Sequence, residues 1–210
     1  MTVRNAASMP AESSDWTARG YHGCGNVQPL LGSLTGRTAI ICGNGAGVFA
    51  QLTEAQSASP DAVVFGVNDV GMYLPTMDHW MSLHADHLLP WTLVRAQAVP
   101  TSAPYLVHSA TARIGVQHVW DRLTPCFALS GYWAMQLAWI MGAAQIVLCG
   151  CPGEASPRFF EAASRTDFAY GGGDDGIKAQ LMKEMSRLPA FKAAVRSISG
   201  GFTEHYFGRI

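Results

Sequence analysis

The chain has 210 residues, of which 49% are hydrophobic and 14% charged, and its formal net charge is −1. The charged fraction lies below the usual value of about 25%, which is typical of a domain whose sheet is buried on both faces. The 14 basic and 15 acidic residues form no basic block, so no nucleic-acid-binding surface is expected. The sequence shows neither a run of roughly 18 apolar residues nor a signal-peptide core, and we expect a soluble, cytoplasmic protein without a membrane span.

The cysteines favour a reducing compartment over a disulfide framework or a metal site. Their number is odd, no CxxC pair occurs, and Cys149-Gly150-Cys151 is too tight for a usual zinc pair. Cys42 and Cys149 fall in predicted buried strands, where we expect them to be small core side chains.

Strand and helix signals alternate after an irregular arm at residues 1–33. This alternation predicts a single α/β domain over residues 34–210, with a three-layer α/β/α Rossmann-like fold and a mainly parallel sheet. The predicted strands are 38–43, 62–67, 79–84, 104–108, 145–150 and 194–198. The predicted helices are 48–58, 86–97, 130–142 and 175–193. Residues 111–128 stay ambiguous, and the glycine-rich stretch 152–173 is predicted to be a mobile lid.

The first predicted strand ends in the glycine turn Gly43-Asn44-Gly45. A strand, a glycine turn and a helix in this order can present backbone amides to an anion, often a phosphate. The second predicted strand ends in Asn68-Asp69, and neighbouring strand ends are where an open α/β sheet binds ligands. The pattern predicts a nucleotide site, with a plain strand–helix turn that needs glycine as the alternative.

A dinucleotide-binding fingerprint fits this turn only in part. It requires G-x-G-x-x-G/A, and Val48 stands at the third small position. Asp69 lies at a plausible distance for a carboxylate that binds a ribose. A serine-hydrolase elbow and a P-loop are absent from the sequence.

The apolar segment 130–142 predicts a buried helix, because 13 residues are too few for a membrane span. Ser130 stands where an N-cap is expected, and Gly142 where the helix should end. The N-terminus of this helix would add amide donors to the same ligand site.

Four short blocks resemble the family of small bacterial sialyltransferases that use a CMP-sugar. In chain order they are Cys42-Gly43-Asn44-Gly45, Val67-Asn68, Leu129-Ser130-Gly131-Tyr132 and Ile146-Val-Leu-Cys-Gly150. The same pattern occurs in a broader sialyltransferase-like group, which includes phage-encoded proteins and archaeal pterin pyrophosphokinases.

The resemblance implies a nucleotide-sugar-dependent glycosyltransferase with a CMP-sugar as donor. The glycine turn would face the nucleotide phosphate, and the two asparagines would hydrogen-bond the ribose-phosphate or the donor sugar. The start of the later helix would contact the nucleotide through hydroxyl and backbone groups. For the polar residues, the alternatives are turn, strand-end and helix-cap roles. The implied donor-binding residues are Gly43, Asn44, Gly45, Asn68, Ser130 and Gly131.

The catalytic part of the resemblance is incomplete. The family uses a histidine base ahead of a helix similar to the one that begins at Asp175, but here Gly171 takes the place of that histidine. Tyr170 is at most a single counterpart of the tyrosines that steady the departing phosphate. Asp174, Asp175 and His205 are candidates for the base, because a carboxylate or imidazole within reach can take a hydroxyl proton. A solvated acidic loop is the alternative.

Three histidines, His79, His84 and His87, follow the second strand. His84 and His87 would share a face if helical, whereas the alternation before them predicts a strand that His84 ends. Metal ligation, contact with an acceptor or a phosphate, and plain burial stay open for them, and Asp86 lies among them.

Two arginines in the predicted lid, Arg158 and Arg165, have the geometry that suits phosphate oxygens, with solvated loop arginines as the alternative. Under a second hypothesis the chain is a pyrophosphokinase-like phosphotransferase that needs Mg²⁺ on carboxylates such as Asp69 or Asp86. Under a third it is a nucleotide-binding protein without catalysis. The sequence leaves open the sugar, the acceptor and whether the protein forms a homo-oligomer.

Overall fold

The computed structural model describes residues 26–120, 129–154, 157–160 and 173–210, together with Arg19 and Leu123, and excludes the side chains of residues 173, 174 and 177. Most of the predicted arm at 1–33 lies outside these residues. Of the predicted lid, only 152–154, 157–160 and the backbone of residue 173 are included.

Within the described residues, seven strands form one sheet in which every pairing is parallel. The strands are β1 Thr38–Cys42, β2 Val63–Val67, β3 His79–Met81, β4 Leu106–Ser109, β5 His118–Val119, β6 Gln145–Cys149 and β7 Val195–Ser197. Their order across the sheet is β5-β4-β3-β2-β1-β6-β7. The predicted α/β Rossmann-like class with a mainly parallel sheet is confirmed.

Helices cover both faces of the sheet. They are α1 Val48–Ala58, α2 Ala85–Ala98, α3 Ser130–Ile140, α4 Gly173–Ser186, α5 Pro189–Ala194 and α6 Gly201–Phe207, with 3-10 turns at Gln28–Leu30 and Asn68–Met72. None of the described helices is long and apolar enough to cross a membrane.

Two apolar cores lie on opposite faces of the sheet because neighbouring residues of a strand point to opposite sides. Ile41 and Phe65 belong to the core under α3, whereas Ile40 and Val64 belong to the core under α1. Cys42 and Cys149 are buried and free, as expected of small core side chains. Burial on both faces accounts for the low charged fraction of the chain.

The predicted and observed elements differ at four places. The strand predicted at 79–84 ends at Met81. The helix predicted at 175–193 is divided at Leu188, because Pro189 starts a new helix at a position where its missing N–H is tolerated. The short strand β5, within the ambiguous stretch, and α6 were not predicted.

The chain order reverses beside β1, which lies between β2 and β6. At such a switch point the loops leaving the carboxyl ends of the strands diverge, and open α/β sheets bind ligands there. The loops that follow β1, β2, β3 and β6 therefore decide what the protein can bind.

Candidate ligand-binding edge of the sheet

The carboxyl edge of the sheet brings the predicted donor-binding residues together. The turn after β1 contacts the turn after β2 through Asn44 and Asp69. The turn after β2 contacts the end of β3 through Asn68 and Ser82. The first residue of α3, Ser130, accepts a hydrogen bond from the amide of Leu83 at 3.5 Å. One continuous polar edge results, formed by segments that are far apart in sequence.

Three backbone amides at the glycine turn are already bonded within the protein. Gly43 N donates to Cys149 O at 2.8 Å, Gly45 N to Gly150 O at 2.8 Å, and Ala46 N to Pro157 O at 2.9 Å. These amides are not directed at a phosphate in this structure. The hydrogens of these three amides pair with carbonyls, whereas the amide of Asn44, between the two glycines, has no such bond among the described residues. Anion binding by the turn therefore stays a prediction, and Asn44 N is the amide that could serve it.

The glycines are needed for a close backbone approach, but the group that approaches is another loop. A Cβ atom on Gly43 would lie 2.6 Å from both Gly150 O and Cys151 Sγ, and one on Gly45 would lie 2.9 Å from Gly150 O. Such contacts are too short for a side chain, so the turn after β1 and the loop after β6 can pack only with glycine there. Burial raises the pKa of Cys151 to about 12, so its thiol stays protonated.

Asn44 connects the first two strand ends and has no uncommitted side-chain atom. Its Nδ2 group donates to Asp69 Oδ1, and its Oδ1 atom accepts from Val70 N at 3.1 Å. Asp69 Oδ2 lies 3.6 Å from Arg158 Nη1, and the Asp69 side chain is 14% exposed. Asp69 is thereby held between an amide and a guanidinium.

The segment 157–160 lies along the glycine turn like a short extra strand. Gly45 and Arg158 form an antiparallel bridge, and Phe159 N donates to Asn44 O at 2.8 Å. Phe159 packs edge-on against Phe49, with ring centroids 5.4 Å apart. The Arg158 side chain, 32% exposed, therefore sits at the edge beside Asp69.

Asn68 is the one residue other than glycine, among those described, with positive φ, at 56°. Two groups of β3 and its continuation hold it there. Trp80 Nε1 donates to Asn68 O at 2.7 Å, and Ser82 Oγ donates to Asn68 Oδ1 at 2.8 Å. Because strained backbone persists where surrounding contacts determine it and is concentrated at functional sites, Asn68 is the strongest site candidate of this edge.

A buried arginine, Arg95, donates hydrogen bonds to backbone carbonyls of the same turn. Arg95, 1% exposed, donates from Nη1 to Gly71 O at 2.6 Å and to Leu74 O at 2.8 Å. Its guanidinium lies 5.1 Å from the centre of the Tyr105 ring. Burial lowers the pKa of Arg95. The turn that carries Asn68 and Asp69 is thus fixed at both ends.

The sequence predicts Ser130 as the N-cap of α3, and this prediction is wrong. Ser130 is the first helical residue, and Leu129 holds the cap position without a side-chain hydrogen bond. Gly131 follows at the contact with the loop after β6, where an added Cβ would lie 3.3 Å from Cys151 Sγ. Gly142, with φ of 100°, stands just beyond the end of α3 as expected.

A polar cavity of about 190 Å³ lies where β3 leads into α2. His84, at the N-cap of α2, and His87, in its first turn, are exposed, with ring centroids 6.1 Å apart. Asp86 forms an ion pair with Arg113 at 2.6 Å. His84 therefore does not end a strand and is not buried.

His79 is buried, and its partners were not found from the sequence. His79 Nδ1 lies 2.9 Å from His108 Nε2, and Trp120 Nε1 donates to His108 Nδ1 at 3.1 Å. Burial lowers the pKa of His79 to about 4 and that of His108 well below its usual value. Because the tryptophan can only donate, neutral His108 carries its proton on Nε2, and this N–H donates a hydrogen bond to His79 Nδ1. Alternation marks His79 as core, but only the strand register places His108 beside it.

The candidates for the catalytic base are not part of this network. Asp175 on α4 and His205 on α6 are exposed, and no hydrogen bond or ion pair between the described residues joins either one to the asparagines or Ser130. Tyr170 and Arg165 lie outside the described residues, as does the side chain of Asp174. Among the described residues, no group of three or more His, Cys, Asp or Glu side chains could hold a metal ion.

No protein-family model matches the sequence, and no curated protein matches it either. Solved structures do match. The sialyltransferase CST-II, in complex with a trisaccharide acceptor and CMP, superposes with a TM-score of 0.57 at 12% identity, over 82% of this chain and 86% of that one. The chain has a sialyltransferase-like fold.

Two further structures agree with this assignment. CstII from Campylobacter jejuni with the substrate analogue CMP-3FNeuAc gives a TM-score of 0.54 at 13% identity, over 81% of this chain and 84% of that one. The same enzyme with cytidine-5'-monophosphate gives 0.51 at 11% identity, over 82% and 84%. At this identity the likeness establishes the sialyltransferase-like fold and not the activity.

Proposed function

We propose that this protein is a nucleotide-sugar-dependent glycosyltransferase that binds a CMP-sugar at the carboxyl edge of β1, β2 and β3. The observation that carries the proposal is the strained, doubly held Asn68 at that edge, in a fold whose solved relatives were crystallised with CMP, CMP-3FNeuAc and a trisaccharide acceptor. Fold alone does not determine function, so the residues of the edge must supply the chemistry.

We assign the donor phosphate mainly to side chains, because the amides of Gly43 and Gly45 are bonded to carbonyls. Arg158 lies over that turn, and its guanidinium can bind two phosphate oxygens. Asn68 contributes its amide from the turn after β2. In this proposal Asn44 and Asp69 position Arg158, Ser130 and Gly131 line the nucleotide side, and Gly43 and Gly45 permit the packing.

The cavity beside α2 is the proposed acceptor site. Its imidazoles, guanidinium and Thr111 hydroxyl suit a polyhydroxyl ligand that also carries an anionic group. Ser82 joins it to the donor side, since its Oγ accepts from His84 N at 2.9 Å and donates to Asn68. Acceptor and donor would therefore occupy neighbouring turns of one edge.

The proposed reaction is a displacement at the anomeric carbon of the donor sugar. A base takes the proton of the acceptor hydroxyl, the hydroxyl oxygen forms the new glycosidic bond, and CMP leaves with the electron pair of the broken bond. Arg158 and the Asn68 amide would stabilise the charge on the leaving phosphate. Asp174, Asp175 and His205 remain the proposed bases, with Tyr170 beside the phosphate and the segment 152–173 as the lid.

The pyrophosphokinase-like alternative would require carboxylates available for Mg²⁺. Asp69 is held by Asn44 and Arg158, and Asp86 is paired with Arg113 in a different turn. This arrangement favours the glycosyltransferase over the phosphotransferase. A nucleotide-binding protein without catalysis would keep the donor edge and lack only the base.

Thermal shift with CMP, CDP, UDP, ATP and NAD tests the proposal first, since a ligand that binds only the folded state raises the melting temperature. We expect the largest shift with CMP. Release of free sugar from a CMP-sugar without added metal then reports catalysis. Binding without release from any donor supports the binding protein, a requirement for Mg²⁺ supports the phosphotransferase, and no shift with any nucleotide contradicts the proposed site.

A further inference from the structure

We propose that Ser82 is a positioning residue, which turns the side-chain amide of Asn68 so that its NH₂ group faces the ligand and selects an oxygen acceptor such as a phosphate. The ligand half of this inference rests on the proposed function. The positioning half rests only on hydrogen bonds between described residues.

The orientation of the Asn68 amide follows from counting hydrogens at Ser82. Ser82 is fully buried, so its single hydroxyl hydrogen must find an acceptor inside the protein. The His84 amide, 2.9 Å away, can only donate to Ser82 Oγ. Asn68 Oδ1, at 2.8 Å, is the acceptor that remains. The oxygen of the Asn68 side chain therefore faces Ser82, and its nitrogen faces away from β3.

The NH₂ group of Asn68 has no hydrogen-bond partner in the part of the chain that the structure describes. Among the residues that the structure describes, none accepts a hydrogen bond from Asn68 Nδ2, although the side chain is half-buried. Asn44, the other asparagine of this edge, differs in this respect, because both ends of its side chain are bonded. Two amide donors that are fixed in direction and unbonded suit a ligand oxygen.

The backbone of Asn68 cannot turn to cancel this orientation. Trp80 Nε1 holds Asn68 O at 2.7 Å. Gly71 packs directly on Trp80, since a Cβ there would lie 2.2 Å from the indole nitrogen. Arg95 then bonds Gly71 O at 2.6 Å. Trp80, Gly71 and Arg95 fix the backbone of the turn. Ser82 then fixes the rotation of the Asn68 side-chain amide.

A double-mutant cycle tests whether Ser82 acts through Asn68. We expect Ser82→Ala to weaken CMP binding about tenfold, the usual worth of one hydrogen bond. In an Asn68→Ala background the same change should have less than about a twofold effect, because no amide remains to be positioned. Ser82→Cys, which keeps the volume and a weak donor, should give an intermediate loss. An equal loss in both backgrounds, or none in the first, overturns the proposal.

Ser109→Ala is the matched control. Ser109 is also fully buried, at the carboxyl end of the neighbouring strand β4, and its hydroxyl accepts from Thr111 N at 3.5 Å without contact to Asn68. It should change the melting temperature in the same direction as Ser82→Ala and leave CMP affinity within about twofold. A tenfold loss of affinity in this control would show that any buried hydroxyl at this edge matters, which contradicts a specific role of Ser82.

Nitrogen-15 NMR separates the two halves of the inference. The Asn68 side-chain amide, assigned by its loss in Asn68→Asp, should give two distinct proton signals that move on addition of CMP and stay in place with cytidine. In Ser82→Ala the amide signals should shift and exchange faster with water. If CMP moves nothing but Ser82→Ala has this effect, the positioning stands and the proposed ligand fails. Unchanged amide signals in Ser82→Ala overturn the positioning itself.

Discussion

The Nδ1 atom of His79, on strand β3, lies 2.9 Å from the Nε2 atom of His108, on the neighbouring strand β4. Both rings are buried, and Trp120 donates to the far nitrogen of His108. The pair packs among apolar groups, with His79 stacked on Phe65 at a centroid distance of 4.5 Å. Protonation of either ring would place an unpaired charge in the core.

This pair makes stability depend on pH. Burial lowers the pKa of His79 from 6.5 in the unfolded chain to about 4 in the folded protein, so the unfolded state binds more protons between these values. The stabilisation is complete above pH 6.5 and is lost as the pH falls toward 4, by about 3 kcal/mol for this residue. Urea unfolding at pH 7.5 and pH 4.5 measures the difference.

His79→Gln should reduce that pH dependence, and His205→Gln, which changes an exposed histidine, should leave it intact. Equal stability of the wild-type protein at the two pH values would show that the pair is not neutral in the fold.

Gly43→Ala should destabilise the fold by several kcal/mol. The new Cβ would lie 2.6 Å from both Gly150 O and Cys151 Sγ, and the backbone oxygen cannot yield without breaking the packing of β1 on the loop after β6. Chemical denaturation followed by circular dichroism measures the loss. Gly176→Ala is the control, because a Cβ at that position in α4 would have nothing within 4 Å. Alanine there should raise the free energy of unfolding by about 0.5–1 kcal/mol.

Asn68→Gly and Asn68→Val should separate binding from backbone strain. Glycine adopts φ of 56° without strain, but it leaves the buried Ser82 hydroxyl without its acceptor, so Asn68→Gly should cost about 1–3 kcal/mol. A β-branched residue there should cost about 1–3 kcal/mol more in backbone strain. Both should lose CMP affinity, because neither supplies an amide. Isothermal calorimetry and urea unfolding measure the two effects, and full affinity in Asn68→Gly would remove Asn68 from the proposed site.

Arg158→Gln should weaken CMP binding about 10–100-fold and leave cytidine binding unchanged, because a guanidinium that contacts a phosphate contributes about 1.5–3 kcal/mol. The loss should shrink at high salt, since Arg158 is partly exposed. Titration calorimetry at two ionic strengths provides the measurement. Arg187→Gln, which removes an exposed partner of Glu184, serves as control, and a parallel loss with cytidine would assign Arg158 to the nucleoside instead.

Much of this edge follows from local pattern. The apolar runs before Gly43 and Asn68 predict two buried strands, and both strands end where polar residues begin. The alternation of strands and helices predicts the layers, since a parallel strand pair requires a crossover. The pattern was less informative at Ser130, where a capping serine and a first-turn serine look alike in sequence.

The partners of the polar groups could not be read from pattern. The sequence identifies the glycine turn but not the carbonyls of Cys149, Gly150 and Pro157 that occupy its amides. It places His79 in a strand but does not show that His108, which pairs with Met81 in the neighbouring strand, reaches it diagonally. It gives no sign that Arg95, on a helix of ordinary composition, is buried under the turn of Asn68.

The amino-acid sequence by itself determined most of the strands and helices, because hydrophobic periodicity and turn chemistry act over a few residues. Only the tertiary structure decided which backbone amides bond to carbonyls, which asparagine has an NH₂ group without a partner among the described residues, and which histidines contact each other. Those outcomes depend on strand order and register, which bring Ser82 to Asn68 and Arg158 to Asp69 across stretches that no local rule connects.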